Sequence, residues 1–201
     1  MVREVWLIRH GETDWNLNGR IQGASDVPLN ATGLAQARSL ACRLGSVTFD
    51  EVFASDLERA RVTAETALPG AAIRCDARLR ELSYGVLEGQ RWDALSDELA
   101  AQARHWREDP VARRVPGGES FGDLAGRVRA FLHDLPEQGR FAAFSHGGAI
   151  VSALYGILGH PKDGAWRIAP RNTSISRLRF EARGVTFVSI NDHAHLDGWA
   201  D

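Results

Sequence analysis

The chain has 201 residues, of which 44% are hydrophobic and 25% are charged. This length and composition suffice for a buried core, and we predict one globular domain over residues 1–201. The formal net charge is −2, so the chain has no excess of positive charge for a nucleic-acid backbone or an anionic membrane. The predicted partner is a small molecule, with no nucleic acid and no membrane involved, and a homodimer stays open.

The basic residues are almost all arginine: 23 of the 24 are Arg, and Lys162 is the single lysine. This excludes a P-loop, which requires a lysine after glycine, and it restricts Schiff-base or general-base lysine chemistry to Lys162. An anion site must therefore use arginine, histidine or backbone amides, and arginine has a planar fork that matches pairs of phosphate oxygens. For most of the arginines, genomic base composition is the simpler explanation.

Few features point to metals, disulfides or export. Cys42 and Cys75 form neither a CxxC motif nor a metal-ligand spacing, which favours the cytoplasm. The amino terminus runs directly into a strand-like segment, so no signal peptide is predicted. Residues 141–161 lack Asp, Glu, Lys and Arg, but their glycines indicate a strand and a helix rather than a membrane span. His193 and His195 lack a third ligand at a fixed spacing, so no metal site is predicted.

Short apolar runs alternate with longer segments of helical period, which predicts an α/β fold with helices on both faces of a mostly parallel sheet. In chain order we expect a strand at 2–8, a polar loop at 10–30, a helix from Thr32 to Gly45, a strand at 50–54, a helix at 56–67, a strand at 73–75, a helix at 92–106, a helix opening at Ser120, a strand at 141–144 and a helix at 149–158. Segments 174–180 and 185–190 are predicted to form a hairpin, which adds an antiparallel edge. The predicted architecture has three layers, α/β/α.

Two predicted strands end in the same way. His10 and Gly11 follow the first strand, and His146 and Gly147 follow the strand at 141–144. Open α/β sheets bind ligands at the carboxyl ends of their strands, so the two ends can converge on one pocket.

The helix predicted at 56–67 offers a second anion-binding feature. Ser55 and Glu58 have the spacing of a capping box, which indicates that this helix begins beside Ser55. A phosphate could sit at that helix start, where Arg59 lies in the first turn. An ordinary ion pair between Arg59 and Asp56 is the alternative.

Six motifs, in register over nearly the whole chain, resemble the histidine phosphatase superfamily, also called the phosphoglycerate mutase-like family. They are Arg9-His10-Gly11-Glu12-Thr13 with Trp15-Asn16, Arg20-Ile21-Gln22-Gly23, Ser55-Asp56-Leu57-Glu58-Arg59-Ala60 with Thr63-Ala64, Leu79-Arg80-Glu81 with Tyr84-Gly85 and Leu87-Glu88-Gly89, Pro116-Gly117-Gly118-Glu119-Ser120, and Ser145-His146-Gly147-Gly148. Each motif alone is modest, but six in the expected order are specific. The short interval before Ser120 resembles the small phosphatase branch, which includes alpha-ribazole phosphatase and broad-specificity phosphatases.

The resemblance implies that His10 is a nucleophile that becomes phosphohistidine and that Glu81 is the general acid and base. It implies that Arg9, Arg59 and His146 bind the phosphoryl group, as two guanidinium forks and an imidazolium, with no metal or other cofactor needed. His10 must be neutral at its attacking nitrogen, so its other nitrogen needs an acceptor such as a backbone carbonyl in the following loop. The substrate-binding residues implied by the same pattern are Asn16, Gln22, Gly23, Tyr84 and Gly147.

Glu81 has a simpler alternative role. Without the family pattern, a surface carboxylate paired with Arg78 or Arg80 would be the more ordinary interpretation of this residue.

The phosphatase and mutase hypotheses require different residues between Glu81 and His146. The mutases of this family hold their substrate with a lysine and an arginine pair in that interval, and this chain has no lysine there. Arg113 and Arg114 could substitute for the pair and favour a further negative group on the substrate. Specificity is expected in a lid-like segment at 91–118.

We therefore predict a phosphatase that hydrolyses a small phosphorylated metabolite. A cofactor-dependent phosphoglycerate mutase is the alternative. A non-catalytic domain that binds phosphorylated ligands or a protein is the third possibility, and the intact set of proposed catalytic residues argues against it.

Overall fold

The computed structural model describes residues 2–159 and 168–197, and its centre is a six-stranded sheet with the strand order β3-β2-β4-β1-β5-β6. The strands are β1 Arg3–Arg9, β2 Glu51–Ala54, β3 Ile73–Cys75, β4 Gly139–Ser145, β5 Ile175–Glu181 and β6 Gly184–Asp192. Strands β3, β2, β4 and β1 run parallel, and the β5–β6 hairpin adds an antiparallel edge. The predicted α/β class, its mostly parallel sheet and its antiparallel edge are confirmed.

The helices are α1 Asp14–Leu17, α2 Ala31–Leu44, α3 Glu58–Ala67, α4 Asp97–Glu108, α5 Phe121–Asp134 and α6 Gly147–Leu158. They cover both faces of the sheet. Because side chains alternate along a strand, Val5 and Leu7 pack in one core cluster with residues of α5 and α6. Trp6 and Ile8 pack in the other cluster, with residues of α2 and α3. The three predicted layers are therefore present.

The register of β1 against β4 positions the site. These two strands are parallel neighbours, and Arg9 is paired with Ser145 at their carboxyl ends. The residues that follow, His10 and His146, consequently leave the sheet side by side, as the two strand ends predicted.

Two helix starts differ from the sequence prediction. Helix α2 begins earlier than expected, because Asn30 and not Thr32 is the N-cap, and its side-chain oxygen accepts a hydrogen bond of 2.8 Å from the Gly33 N–H. The capping box predicted at Ser55 is wrong. Helix α3 begins at Glu58, and the Ser55 hydroxyl instead accepts a hydrogen bond of 3.3 Å from the Leu57 N–H, two residues on.

The later helices match the prediction to different degrees at their starts. Helix α4 begins only at Asp97, where Ser96 is the N-cap, so the segment from residue 92 to Ser96 is not helical. Ser120 caps α5 as predicted and forms a capping box with Asp123. Gly159 ends α6, whereas Pro161 and Lys162 lie outside the described residues.

Other predictions concern features of the whole chain. Both Cys42 and Cys75 are free thiols on the surface. None of the helices in the described ranges is long and apolar enough to cross a membrane. Within 2–159 and 168–197, no cluster of three His, Cys, Asp or Glu side chains could hold a metal ion, and this range includes His193 and His195.

Candidate active site

His10 follows β1 and is held in one orientation by its neighbours. Its backbone N–H donates to the Ser145 carbonyl at 2.9 Å, and its carbonyl accepts from the Asn172 side-chain amide at 3.0 Å. The ring Nδ1 lies 2.6 Å from the carbonyl oxygen of Gly11. A carbonyl can only accept, so Nδ1 carries the proton and Nε2 keeps its lone pair. This is the tautomer that a nucleophilic histidine requires.

Glycine is needed immediately after His10 because two backbones meet there. A Cβ atom on Gly11 would lie 2.5 Å from the carbonyl oxygen of Gly33 in α2. The Gly11 N–H donates to the Thr63 hydroxyl in α3 at 3.0 Å, and that hydroxyl donates to the Arg59 carbonyl at 2.6 Å. The loop that carries His10 is thus anchored to both helices on one face of the sheet.

Two cations, the half-buried Arg9 and the fully buried Arg59, lie beside His10. The Arg9 guanidinium donates to the Pro170 carbonyl at 2.7 Å. Arg59 is fully buried and donates to the carbonyls of Gly23 and Ser25, both at 2.7 Å, so it shapes the loop around the pocket. Burial lowers the pKa of Arg9, and burial lowers the pKa of Arg59 to about 10. Both guanidiniums remain charged at neutral pH.

The rings of His10 and His146 are neighbours, with their centroids 5.1 Å apart. His146 is the N-cap residue of α6 and is completely buried. Burial is the largest cause that lowers the pKa of each histidine well below 6.5, and the adjacent Arg59 is the next. Burial therefore favours the neutral form of the His146 ring, whereas the imidazolium that the resemblance implies is one in contact with a phosphoryl group and stays a prediction.

Several buried polar atoms around this pocket lack a hydrogen-bond partner among the described residues. They are the Nε atoms of Arg9 and Arg59, both ring nitrogens of His146, and the side-chain oxygen of Gln22. Buried donors are rarely left unpaired, because each costs about 1–3 kcal/mol. The two guanidinium Nε–H groups and the one N–H of the His146 ring are unsatisfied donors that an anionic ligand would complete, whereas the Gln22 oxygen is an acceptor.

Glu81 lies in the segment that follows a 3₁₀ turn at Ala77–Leu79. Its two carboxylate oxygens accept hydrogen bonds of 2.9 Å from the backbone N–H groups of Leu82 and Gly148. The alternative of a surface ion pair is not what the structure shows. Arg78 pairs with Asp76 and Asp134, and Arg80 pairs with Asp56. The same pairing of Asp56 excludes its proposed ion pair with Arg59.

One pocket of about 160 Å³ brings together His10, Arg9, Arg59 and Glu81, whereas His146 contacts the His10 ring but is not in the lining. Its lining residues are Arg9, His10, Asn16, Arg20, Ile21, Gln22, Gly23, Arg59, Glu81, Tyr84 and Trp92. Four of the predicted substrate-binding residues are thus at the pocket, and a Cβ atom on the fifth, Gly147, would lie 3.7 Å from the Arg9 Nε. Burial raises the pKa of the Tyr84 phenol, which stays neutral.

The structure does not bring Arg113 and Arg114 to this pocket, contrary to the sequence expectation. Arg113 forms an ion pair with Glu108 and donates to the His105 carbonyl at 3.0 Å. Arg114 forms two hydrogen bonds of 2.7 Å with Asp123. Glu108, the last residue of α4, and Asp123, in the first turn of α5, are thus the partners of these two side chains.

Sequence reasoning missed four residues that shape the pocket. Three of them, Arg20, Ile21 and Trp92, line it directly. Glu88 joins its two walls, because one carboxylate oxygen accepts from the N–H groups of Ala24 at 2.9 Å and Tyr84 at 3.0 Å. All except Trp92 belong to the six family motifs named above. The resemblance therefore marked these positions, but it did not assign them a role in the pocket.

Comparison with known proteins agrees with this geometry. The model of branch 1 of the histidine phosphatase superfamily matches residues 5–193. The chain belongs to this superfamily. A superfamily relative from Shigella boydii, named "Probable phosphoglycerate mutase GpmB", is 41% identical over 204 residues, which cover 96% of this chain and 95% of the relative.

Two solved phosphatase structures are similar to this chain over nearly their whole length. The alpha-ribazole phosphatase from Shigella flexneri is 30% identical with a TM-score of 0.85, and the match covers 94% of this chain and 96% of that one. A phosphoserine phosphatase mutant from Entamoeba histolytica, solved with phosphoserine, is 27% identical with a TM-score of 0.85, and the match covers 96% and 99%. The predicted resemblance is confirmed at the level of the family and the fold.

Proposed function

We propose that this histidine phosphatase hydrolyses small phosphomonoesters through a phosphohistidine formed on His10. One observation carries the proposal. His10 keeps a free Nε2 and lines a pocket with Arg9 and Arg59, and buried donors of these two arginines and of the adjacent His146 have no hydrogen-bond partner among the described residues. A phosphoryl group would satisfy those donors and present its phosphorus to the nucleophile.

In the first step the His10 Nε2 lone pair forms a bond to phosphorus as the bond to the ester oxygen breaks. The Glu81 carboxyl group donates its proton to that oxygen, and the alcohol leaves. The guanidiniums of Arg9 and Arg59 stabilise the negative charge on the three remaining oxygens. A phosphate dianion also raises the pKa of His146, so this ring gains a proton and a charge-assisted hydrogen bond when substrate arrives.

In the second step the Glu81 carboxylate removes a proton from a water molecule. The water oxygen forms a bond to phosphorus, the bond from phosphorus to Nε2 breaks, and inorganic phosphate is released with His10 neutral again. The positive charge that the reaction requires comes from arginine and histidine side chains, and we propose that no metal or other cofactor takes part.

We propose that the chain is a single domain in which residues 91–118 form a lid, and the aromatic residues beside the pocket support this role. Trp92 lines the pocket and is 39% exposed. Its ring centroid lies 5.9 Å from that of Tyr84 and 6.3 Å from that of Trp106 in α4. The lid thus presents an apolar wall to the alcohol part of a substrate. Free thiols on the surface support the proposed cytoplasmic location.

The alternative activity is that of a phosphoglycerate mutase, the name given to the Shigella boydii relative. A mutase must bind the substrate carboxylate and return the phosphoryl group before water attacks. Arg113 and Arg114 are engaged with acidic residues elsewhere, which leaves Arg20 as the further cation at the described pocket. This observation favours hydrolysis over retention of the phosphoryl group.

The experiment combines a substrate panel with a trapped intermediate. Purified protein is incubated with 4-nitrophenyl phosphate, phosphoserine and 3-phosphoglycerate, with and without a chelator. Phosphate release that survives the chelator, together with an acid-labile phosphoryl group on the protein, is expected. The His10→Ala variant should lose both. Equal turnover by this variant, or phosphoglycerate interconversion faster than phosphate release, would overturn the proposal.

A further inference from the structure

All three guanidinium nitrogens of Arg127, on α5, donate hydrogen bonds, either to backbone carbonyls of the 78–81 segment or to the Glu119 carboxylate. Its Nη1 donates to the carbonyls of Arg78 at 2.9 Å and Arg80 at 2.6 Å, and its Nη2 donates to the carbonyl of Glu81 at 2.8 Å. These three carbonyls belong to the segment that delivers Glu81 to the pocket. A single guanidinium therefore holds the backbone on which the proposed general acid stands.

Glu119 fixes Arg127 in turn. The Arg127 Nε and Nη2 donate to the two Glu119 oxygens at 3.0 and 2.9 Å, a bidentate pair. The same Glu119 carboxylate accepts from the Ser83 N–H at 3.1 Å, two residues after Glu81. Arg127 is only 18% exposed and Glu119 30%, so solvent competes weakly for these bonds. Arg127 and Glu119 therefore hold the backbone by hydrogen bonds both before and after Glu81.

We propose that Arg127, oriented by Glu119, is a positioning residue for general acid–base catalysis by Glu81. The proposal rests on the function proposed above. Arg127 is absent from the lining of the pocket that contains His10 and lies instead against a neighbouring cavity of about 360 Å³, which Glu81 also lines. Because its hydrogen bonds go to the 78–81 backbone and to Glu119, it acts on the Glu81 carboxylate through the chain. The side chain of Glu81 receives its own hydrogen bonds from Leu82 and Gly148, and these can form only if the 78–81 backbone is correctly placed.

Lysine cannot replace this arginine. The ammonium group is a single point, and it cannot reach three carbonyls and a bidentate carboxylate together, whereas the planar guanidinium presents donors in several directions. Arg127→Lys would conserve the charge and lose the geometry. Arg127→Gln would lose both.

The leaving group provides a readout that a general structural defect would not produce. An alkoxide leaving group needs the proton from Glu81, whereas 4-nitrophenolate is stable without it. Misplacement of Glu81 should therefore slow hydrolysis of β-glycerol phosphate much more than hydrolysis of 4-nitrophenyl phosphate. General acid catalysis contributes about 10²- to 10⁴-fold, and partial misplacement should remove about 10- to 100-fold of it.

The test measures kcat and KM for both substrates in the parent, Arg127→Gln, Arg127→Lys and Glu119→Gln. The matched control is Arg129→Gln, which removes the same charge from the exposed surface of the same helix. We expect kcat for β-glycerol phosphate to fall about 10- to 100-fold in both Arg127 variants, with KM little changed and with a smaller loss for 4-nitrophenyl phosphate. Glu119→Gln should show the same selectivity with a smaller loss, and Arg129→Gln should match the parent.

Equal losses for the two substrates, or no loss in the Arg127 variants, would overturn the proposal. Circular dichroism melting identifies variants that fail to fold. If Arg127→Gln is one of these, Glu119→Gln decides the matter, because it retains the three carbonyl contacts, and a non-selective loss in that variant would count against positioning. A parent protein that hydrolyses neither substrate would refute the proposed function instead.

Discussion

The Glu81 carboxylate accepts a hydrogen bond of 2.9 Å from the backbone N–H of Gly148, although 67 positions separate the two residues. A Cβ atom on Gly148 would lie 2.4 Å from the other carboxylate oxygen, closer than real Cβ contacts come. The missing side chain at position 148 therefore allows the proposed general acid to reach the start of α6. This contact joins the segment after β3 to the segment after β4, across the pocket.

The Gly148→Ala substitution tests the importance of this contact. The new methyl group must displace the Glu81 carboxylate, and we expect kcat/KM for an aliphatic phosphomonoester to fall about 10²-fold or more. Gly156→Ala is the control in the same helix, because a Cβ atom there meets open space. The control should keep full activity and gain about 0.5–1 kcal/mol in the free energy of unfolding. Equal activity in the two variants would contradict this account of Gly148.

The buried histidines predict a loss of stability in acid. The folded state keeps His10 and His146 neutral because their pKa values lie well below 6.5, whereas the unfolded chain protonates them near that value. Their contribution is fully present above pH 6.5 and is lost as the pH falls towards the folded-state pKa values. Each histidine should add about 1.4 kcal/mol per pH unit to the slope of unfolding free energy in this window.

Urea denaturation between pH 5 and 7 measures the slope of the unfolding free energy against pH. This range includes the unfolded-state histidine pKa of about 6.5. The His146→Gln variant should be less sensitive to acid than the parent, and His133→Gln, which changes an exposed histidine, should behave like the parent. Identical slopes in all three proteins would show that His146 does not control acid stability.

Two variants that each remove one positive charge from α3 test whether Arg59 is a phosphate ligand. Arg59→Gln should abolish stabilisation by inorganic phosphate, whereas Arg61→Gln, on the exposed face of α3 where Arg61 pairs with Glu65, should retain it. At a phosphate concentration ten times Kd, the parent should gain about 1.4 kcal/mol of unfolding free energy. Differential scanning calorimetry with and without phosphate measures this gain. A phosphate-dependent rise in Tm for Arg59→Gln as large as that of the parent would exclude Arg59 from the phosphate site.

The placement of Arg113 and Arg114 predicts that neither residue sets specificity. Because both pair with carboxylates on α4 and α5, the double Arg113→Gln, Arg114→Gln variant should keep KM within about twofold of the parent. The measurement compares 3-phosphoglycerate, which has a second anionic group, with 4-nitrophenyl phosphate, which does not. A tenfold rise in KM confined to 3-phosphoglycerate would restore these arginines to the substrate site.

The sequence was sufficient for features that depend on neighbours along the chain. Short apolar runs between segments of helical period located the strands to within two residues and placed the terminal hairpin at the sheet edge, because burial of both faces selects such runs directly. His10 and His146 each follow a buried parallel strand, and this alone predicted that they would meet. The ordered motifs then indicated the family.

Tertiary structure decided the features that depend on competing partners. Ser55 had the right spacing for a capping box, but its hydroxyl pairs with the nearer Leu57 N–H. Arg113 and Arg114 resembled ligands of an anion, but neighbouring acids lie closer to them than the pocket does.

Arg127 carried no signal for its contact with the Glu81 carbonyl, 46 positions earlier. A local pattern records which residues must be buried, but the choice among polar partners is made by distance and geometry after the layers have packed. The sequence thus determined the sheet and the identity of the reactive groups, and only the packed structure decided which charges remain free to bind a phosphate.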